Sequence, residues 1–407
     1  MILLLSVATT AAAGSKTSVS AVYSKGSKVF CVSDYGAVAG DSKDDTAAFQ
    51  KALNAAASSR GVVVVPQGSY VFKEGTLTVP AGVTLQGAND IGNPINGLPR
   101  LDIQVTRGNK NEAFLTLKEG ASAKGLSFNY PIQSTETPMA YGWTIRLAGA
   151  NTTVSNVFCK NAYQFLDGGS IAAPNHVVEH CNIWVYMTGI FIDKCSGNGL
   201  LKDVHIWPFD GSKSDWVNKN ATGFLLGYAK NETIDGCFTI RYHIGFHFKN
   251  FGNGVGTYTL QTSGADCGPL GLLVDGVKSL KVTSGQFMHK AEISASNTGT
   301  VELIACNFRK WANESLTYQL KAQGTGKVTL ESCIFSGWDS KNEGAAGIVA
   351  DCSALTVTGC EFMDAKTSIE LGSKVKTAVV DGNLMKGSAK IANNSKGNVT
   401  LKDNLGY

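Results

Sequence analysis

Leu303-Ile-Ala-Cys306-Asn-Phe308, Leu330-Glu-Ser-Cys333-Ile-Phe335 and Val357-Thr-Gly-Cys360-Glu-Phe362 are one phrase written three times. Each copy sets an aliphatic residue three positions before a cysteine and a phenylalanine two positions after it. The phrase is legible upstream as Val178-Glu-His-Cys181-Asn-Ile183, Leu201-Lys-Asp-Val204-His-Ile206, Ile234-Asp-Gly-Cys237-Phe-Thr239 and Val282-Thr-Ser-Gly285-Gln-Phe287. Downstream it continues as Val380-Asp-Gly-Asn383-Leu-Met385 and Leu401-Lys-Asp-Asn404-Leu-Gly406. The steps from Gly285 to Cys306, Cys333, Cys360, Asn383 and Asn404 are 21, 27, 27, 23 and 21 residues. A strand-forming phrase that returns at such intervals marks stacked coils, each burying its apolar side only against its neighbours. The pattern predicts an all-β chain built as one parallel solenoid rather than two or three separate domains.

Composition agrees with many short strands and tight turns: 43% of the 407 residues are hydrophobic, only 17% are charged, and 46 are glycine. Lysine and arginine outnumber aspartate and glutamate 36 to 32. That balance is too even to mark a nucleic-acid or membrane-surface protein. Residues 2–12 form a short apolar run closing on Ala11-Ala12-Ala13-Gly14, the pattern of a signal-peptide core and its cleavage site. Residues 1–13 therefore read as a signal peptide and 14–29 as a polar linker, which predicts a secreted or periplasmic protein. No other stretch is apolar enough to span a bilayer. The repeated-phrase cysteines fall one coil apart and are expected to stack as small buried hydrophobes. They form neither a disulfide framework nor a C-x-x-C metal site, and no metal ligands are expected.

A second phrase returns between residues 141 and 275: Gly142-Trp-Thr-Ile-Arg146, Tyr163-Gln-Phe-Leu-Asp167, Gly189-Ile-Phe-Ile-Asp193, Gly223-Phe-Leu-Leu-Gly227, Gly245-Phe-His-Phe-Lys249 and Gly271-Leu-Leu-Val-Asp275. Its second and fourth residues are mostly large and apolar, so they point inward and the third and fifth outward. Stacked in register, the fifth positions form a charged row of Arg146, Asp167, Asp193, Gly227, Lys249 and Asp275. The step from Val204 to Cys237 is 33 residues, and its surplus is an insertion carrying Asp210, Asp215 and Trp216. Insertions in a solenoid gather on its binding face.

Near the N-terminus, Asp34-Tyr-Gly-Ala37 precedes Asp44-Asp-Thr-Ala-Ala-Phe-Gln50, where Asp44, Asp45 and Thr46 supply a helix start and Phe49, Leu53 and Ala56 follow at helical spacing. Then come Val62-Val-Val-Val-Pro-Gln-Gly-Ser-Tyr70 and Gly82-Val-Thr-Leu-Gln-Gly87. This order resembles the opening of the pectate lyase superfamily, proteins related to family 28 glycoside hydrolases. The resemblance implies a single-stranded right-handed parallel β-helix over residues 30–407, with a helix at 46–57 covering its N-terminal end. It implies a polysaccharide substrate but not a reaction, because hydrolases, lyases, epimerases and phage tailspikes share the fold. The chain has no Asn-Thr-Asp, Gly-His-Gly or Arg-Ile-Lys triplet, so no catalytic residue is carried over by motif.

Candidate chemistry therefore rests on the charged row. Neighbouring strands lie about 4.8 Å apart, so an in-register Asp167 and Asp193 would hold carboxylates roughly 5 to 7 Å apart. Such a pair splits its pKa values into an acid and a base, as glycosidic hydrolysis requires. The leading expectation is a glycoside hydrolase working through Asp167 and Asp193 with no cofactor. The competing reading is that both are solvated turn residues. A second expectation is a polysaccharide lyase in which Lys249, Arg241 or His243 removes the proton α to a uronate carboxyl, with His247 beside Lys249 and with Ca2+ as the cofactor of that reading. The third is a noncatalytic carbohydrate-binding or adhesin solenoid. Arg146, Trp216, Tyr228, Tyr242, Asp210 and Asp215 are the candidate substrate-binding residues, the aromatics as platforms for sugar rings. No nucleic-acid or membrane partner is expected, and the sequence leaves the oligomeric state open.

Overall fold

The computed structural model describes residues 28–407 apart from 74, 89–96, 105–108, 135, 208–213, 311–315, 339–345 and 389. Residues 1–13, read as a leader, and Asp210 on the insertion lie outside the described residues. The chain is a right-handed parallel β-helix, with 34 strands among the described residues, from Val29–Cys31 to Leu405–Gly406. Each strand pairs in parallel with the equivalent strand one coil later, as Asn307–Arg309 does with Ile334–Ser336. No described helix is long and apolar enough to cross a membrane.

One recurring backbone conformation explains why the cysteine phrase repeats. The backbone is left-handed, with φ between 47 and 66°, at His180, Asp203, Gly236, Thr262, Ser284, Ala305, Ser332, Gly359, Gly382 and Asp403. Each of these immediately precedes the phrase position held by Cys181, Val204, Cys237, Ser263, Gly285, Cys306, Cys333, Cys360, Asn383 or Asn404. A single left-handed residue bends an extended chain sharply, and here it turns every coil at the same corner. The corner amides are paired between coils: Ala305 N–H donates to Glu331 O at 2.9 Å, Ser332 N–H to Thr358 O at 3.0 Å, and Gly359 N–H to Asp381 O at 3.2 Å.

Just past that corner the side chains turn inward and stack. All ten cysteines are free thiols, and all but Cys267 are buried. The hydrogen bond to Cys333, together with burial, pushes the Cys306 and Cys360 thiols up. Where the thiol ladder stops, asparagine continues it: Cys360 N–H donates to Asn383 Oδ1 at 2.8 Å, and Asn383 Nδ2 to Asn404 Oδ1 at 2.8 Å. Two residues on, Phe308, Phe335 and Phe362 form a stack with ring centroids 4.8 and 4.9 Å apart. Burying a phenylalanine contributes roughly 1.5–3 kcal/mol, so the repeating phrase is a repeating unit of core energy.

Helix α1 (Thr46–Ala56) closes the N-terminal end and buries Ala48, Phe49, Ala52, Leu53 and Ala56. Phe49 meets Tyr70 and Phe72 edge-on at 5.2 and 5.0 Å. Asp44 accepts from Thr46 N–H at 3.0 Å. Asp45 instead reaches outside the helix, accepting from Val38 N–H at 3.1 Å and Val71 N–H at 3.0 Å, so it fastens the cap to the first coils.

Candidate functional site on one outer face

The outer face that carries the charged row has a register different from the one the sequence phrase suggests. Arg146 stands beside Asp167. The next rung places Phe191, not Asp193, opposite Asp167, and the row then runs through Leu225, His247, Leu273, Glu292 and Lys321. Asp193 follows Ile192, which pairs with Leu226, so it belongs to a parallel row two residues further along with Gly227, Lys249 and Asp275. The expected Asp167–Asp193 dyad is therefore not formed. The apolar alternation has period two, so a slip of two residues preserves every inside and outside assignment and leaves no trace in the pattern.

Both carboxylates are also covered. Asp167 is fully buried; its Oδ2 accepts from Arg146 Nε at 2.6 Å, and its Oδ1 from Gly169 N–H at 3.1 Å and Ser170 N–H at 2.8 Å. Arg146 spends its other end on Asn111 O at 2.7 Å, so this pair clamps strand ends instead of facing a substrate. Asp193, 2% exposed, accepts from Tyr228 N–H at 2.7 Å and Asn253 Nδ2 at 2.6 Å. It holds down the loop 249–256, which bends at Gly252 (φ 86°) and Gly254 (φ 116°).

The aromatic candidates divide in the same way. Tyr242 is in the core, 1% exposed, with its hydroxyl donating to Val185 O at 2.7 Å. It cannot serve as a sugar platform. Trp216 lies on helix α2 (Ser214–Asn220), partly buried, and its indole N–H donates to Tyr186 O at 3.1 Å, so it anchors the insertion to the coil beneath. Tyr228 is half-buried against Gly254, and Asp215 is exposed in the first turn of α2. Arg241 and His243 occupy the turn before the strand Ile244–Phe248; Arg241 has φ 65°, and His243 Nδ1 lies 3.1 Å from Asn218 O under α2.

What the face does present is a histidine–aspartate pair next to a lysine. His247 Nε2 is 2.6 Å from Asp275 Oδ2, with side chains 11% and 30% exposed. The hydrogen bond from His247, supported by its charge and that of Lys249, holds the Asp275 carboxyl below its ordinary value against the effect of burial. Lys249 is exposed and places Nζ 5.3 Å above the Phe251 ring. From there aromatic rings lead inward: Phe251, 38% exposed, meets the half-buried Phe191 at 5.5 Å, and Phe191 stacks on the buried Trp143 at 6.1 Å. Further along the row, Lys290 and Lys321 sit 5.3 and 5.9 Å from the Tyr318 ring, whose hydroxyl donates to Glu292.

This architecture and its opening motifs have known counterparts. Residues 29–112 match the family model for rhamnogalacturonase A/epimerase, pectate lyase-like. The chain has the parallel β-helix fold. The bacteriophage Phi29 gene product 12 N-terminal fragment shares that fold with TM-score 0.65 at 12% identity, over 91% of this chain and 71% of that one. The catalytic unit of the GH87 alpha-1,3-glucanase from Streptomyces thermodiastaticus does so with TM-score 0.52 at 14% identity, over 94% and 69%. The A-module of the Azotobacter vinelandii mannuronan C-5 epimerase AlgE6 gives TM-score 0.51 at 13% identity, over 93% and 99%. No curated protein matches the chain by sequence.

Phe191, Phe251 and Asp275 are the residues on this face that the sequence reading passed over as site members. The third position of the phrase, outward by alternation, was the available signal: it holds Phe191 and His247. Phe251 lay beyond reach because it sits on a loop outside the phrase.

Proposed function

We propose that the protein is a secreted or periplasmic enzyme that cleaves an acidic polysaccharide by β-elimination, with His247 as the base. The observation that carries this reading is the 2.6 Å contact between His247 and Asp275 across two adjacent outward rows, with Lys249 beside Asp275 on the second. Imidazole is the side chain suited to exchanging protons near neutral pH. With Nε2–H donated to Asp275, the lone pair of His247 is left on Nδ1, and the aspartate stabilises the imidazolium formed when the ring takes a proton. Lys249 supplies the positive charge that favours an enolate-like uronate carboxyl as the proton leaves. The proton leaves the carbon α to the carboxyl, a C=C bond forms to the adjacent carbon as the glycosidic C–O bond there breaks, and the imidazolium can return its proton to the departing oxygen. Phe251 and Phe191, backed by the buried Trp143, give sugar rings an apolar bed, and Lys290 and Lys321 extend positive charge along the same face.

Support from likeness is limited to class. Two of the structures sharing the fold are named for work on polysaccharides, one an epimerase of mannuronan and one an alpha-1,3-glucanase. The hydrolase reading rested on Asp167 and Asp193, and their burial and two-residue offset remove that support. The test is a panel of neutral and acidic polysaccharides, with and without Ca2+, followed simultaneously for reducing ends and for the absorbance of unsaturated uronates. Elimination predicts both signals on a uronate polymer. Reducing ends alone would establish hydrolysis instead, and neither signal on any polymer would leave a binding solenoid.

A further inference from the structure

Away from this face, three chemically reactive side chains meet in the interior. His176 precedes the strand Val177–Ile192, Cys195 opens the strand Cys195–Ile206, and Glu232 lies on the strand Ala229–Asp235, so they come from three successive coils. All three are buried, and one ligand-capable atom from each falls within 4.8 Å of the other two. His176 Nδ1 lies 2.9 Å from Ala173 O, while Nε2 faces Glu232 Oε1 at 2.9 Å. Cys195 Sγ lies 3.8 Å from Nδ1 of the same ring, on the side of the imidazole away from Glu232. The second carboxylate oxygen, Glu232 Oε2, is buried with no hydrogen-bond partner among the described residues. Room for this carboxylate comes from Gly199 on the adjacent rung, where a Cβ would collide with Oε2.

A buried, unpartnered carboxylate oxygen costs free energy that a core does not ordinarily tolerate. The surroundings have the features of a metal site. A ligating histidine characteristically donates its second ring N–H to a backbone carbonyl, as Nδ1–H does here to Ala173, which leaves Nε2 to bind. Thiolate, imidazole and carboxylate together suit a borderline divalent ion, and one thiolate with one carboxylate balance its charge. We propose that His176, Cys195 and Glu232 bind a zinc-class divalent cation that ties three coils together. Binding forms bonds from Sγ, Nε2 and a Glu232 oxygen, and releases the thiol proton and the proton held between Nε2 and Glu232 Oε1. No local motif marks the set, because the ligands stand 19 and 37 residues apart, on different coils.

The experiment uses the full chain, stripped of metal with a chelator in denaturant and refolded with Co2+ or Zn2+. The expected result is one Zn2+ per chain retained through gel filtration, and a Co2+ form with a thiolate-to-cobalt charge-transfer band. Cys195→Ser should lose that band, and Glu232→Gln should weaken Zn2+ binding by more than about tenfold. Wild-type protein that refolds yet holds less than about a tenth of an equivalent would overturn the proposal. So would a charge-transfer band that survives in Cys195→Ser, since it would come from another thiol. The wild-type measurement stands even where a variant fails to fold.

Discussion

Replacing Arg146 with methionine separates a structural role for the Arg146–Asp167 pair from a catalytic one. The substitution keeps most of the apolar stem and removes the guanidinium, so Asp167 Oδ2 loses the donor now at 2.6 Å. The carboxylate remains fully buried, with only the Gly169 and Ser170 amides on Oδ1. Breaking a buried ion pair from one side costs about 3–5 kcal/mol. The Arg146 side chain is 18% exposed and two amides still hold Asp167, so the lower end, about 3 kcal/mol, is expected. Adding Asp167→Asn should recover part of this loss, because the uncompensated charge is gone. Urea unfolding followed by circular dichroism measures the change, and activity per folded molecule should stay near wild type. A midpoint shift equivalent to less than about 0.5 kcal/mol would refute the clamp. Loss of activity in fully folded protein would return the pair to the catalytic machinery.

Three further outcomes follow from particular contacts. Gly359→Ala should destabilise by about 1–2 kcal/mol in urea unfolding, since φ is 59° and the nearest atom to a new Cβ is 3.7 Å away, leaving backbone strain as the whole cost; an unchanged midpoint would contradict the corner assignment. Because the Asp275 carboxyl titrates below its ordinary value when folded, its contribution is complete above the unfolded value near 3.9 and disappears as pH falls through the lower folded value. The loss of stability on acidification should therefore be shallower in Asp275→Asn than in wild type, and identical slopes in urea midpoints below about pH 4 would count against it. Phe251→Ala, at an exposed ring, should raise KM for polymer several-fold with stability within about 0.5 kcal/mol of wild type; an unaltered KM would remove the ring from the binding face.

The parts of the fold written in local chemistry were readable from residues alone. The Cys306, Cys333 and Cys360 phrases gave the coil, and the structure supplies the cause in the left-handed residue before each cysteine. Asp44 to Ala56 gave the cap, although Asp45 turned out to fasten it to neighbouring backbone. The face carrying the row was also legible, because alternation separates inside from outside. The partner of each residue within that row was not. Asp167 opposes Phe191 and not Asp193, a two-residue offset to which a period-two pattern is blind. Trp216 and Tyr242 were read as platforms, but their polar ends find backbone carbonyls, and this sends aromatic rings inward rather than outward. Contacts assembled across coils, such as His247 with Asp275 or His176 with Glu232, depend on the true coil length and became visible only with the register.

The central claim is that His247, oriented by Asp275, removes the proton that starts cleavage. Its most direct measurement is the initial rate of unsaturated-uronate formation by His247→Gln beside wild type, on the acidic polymer that wild type cleaves best, with folding checked by circular dichroism. The account predicts a fall in kcat of about 10²- to 10⁴-fold with KM little changed. A folded His247→Gln variant that turns over at near-normal rate would contradict it.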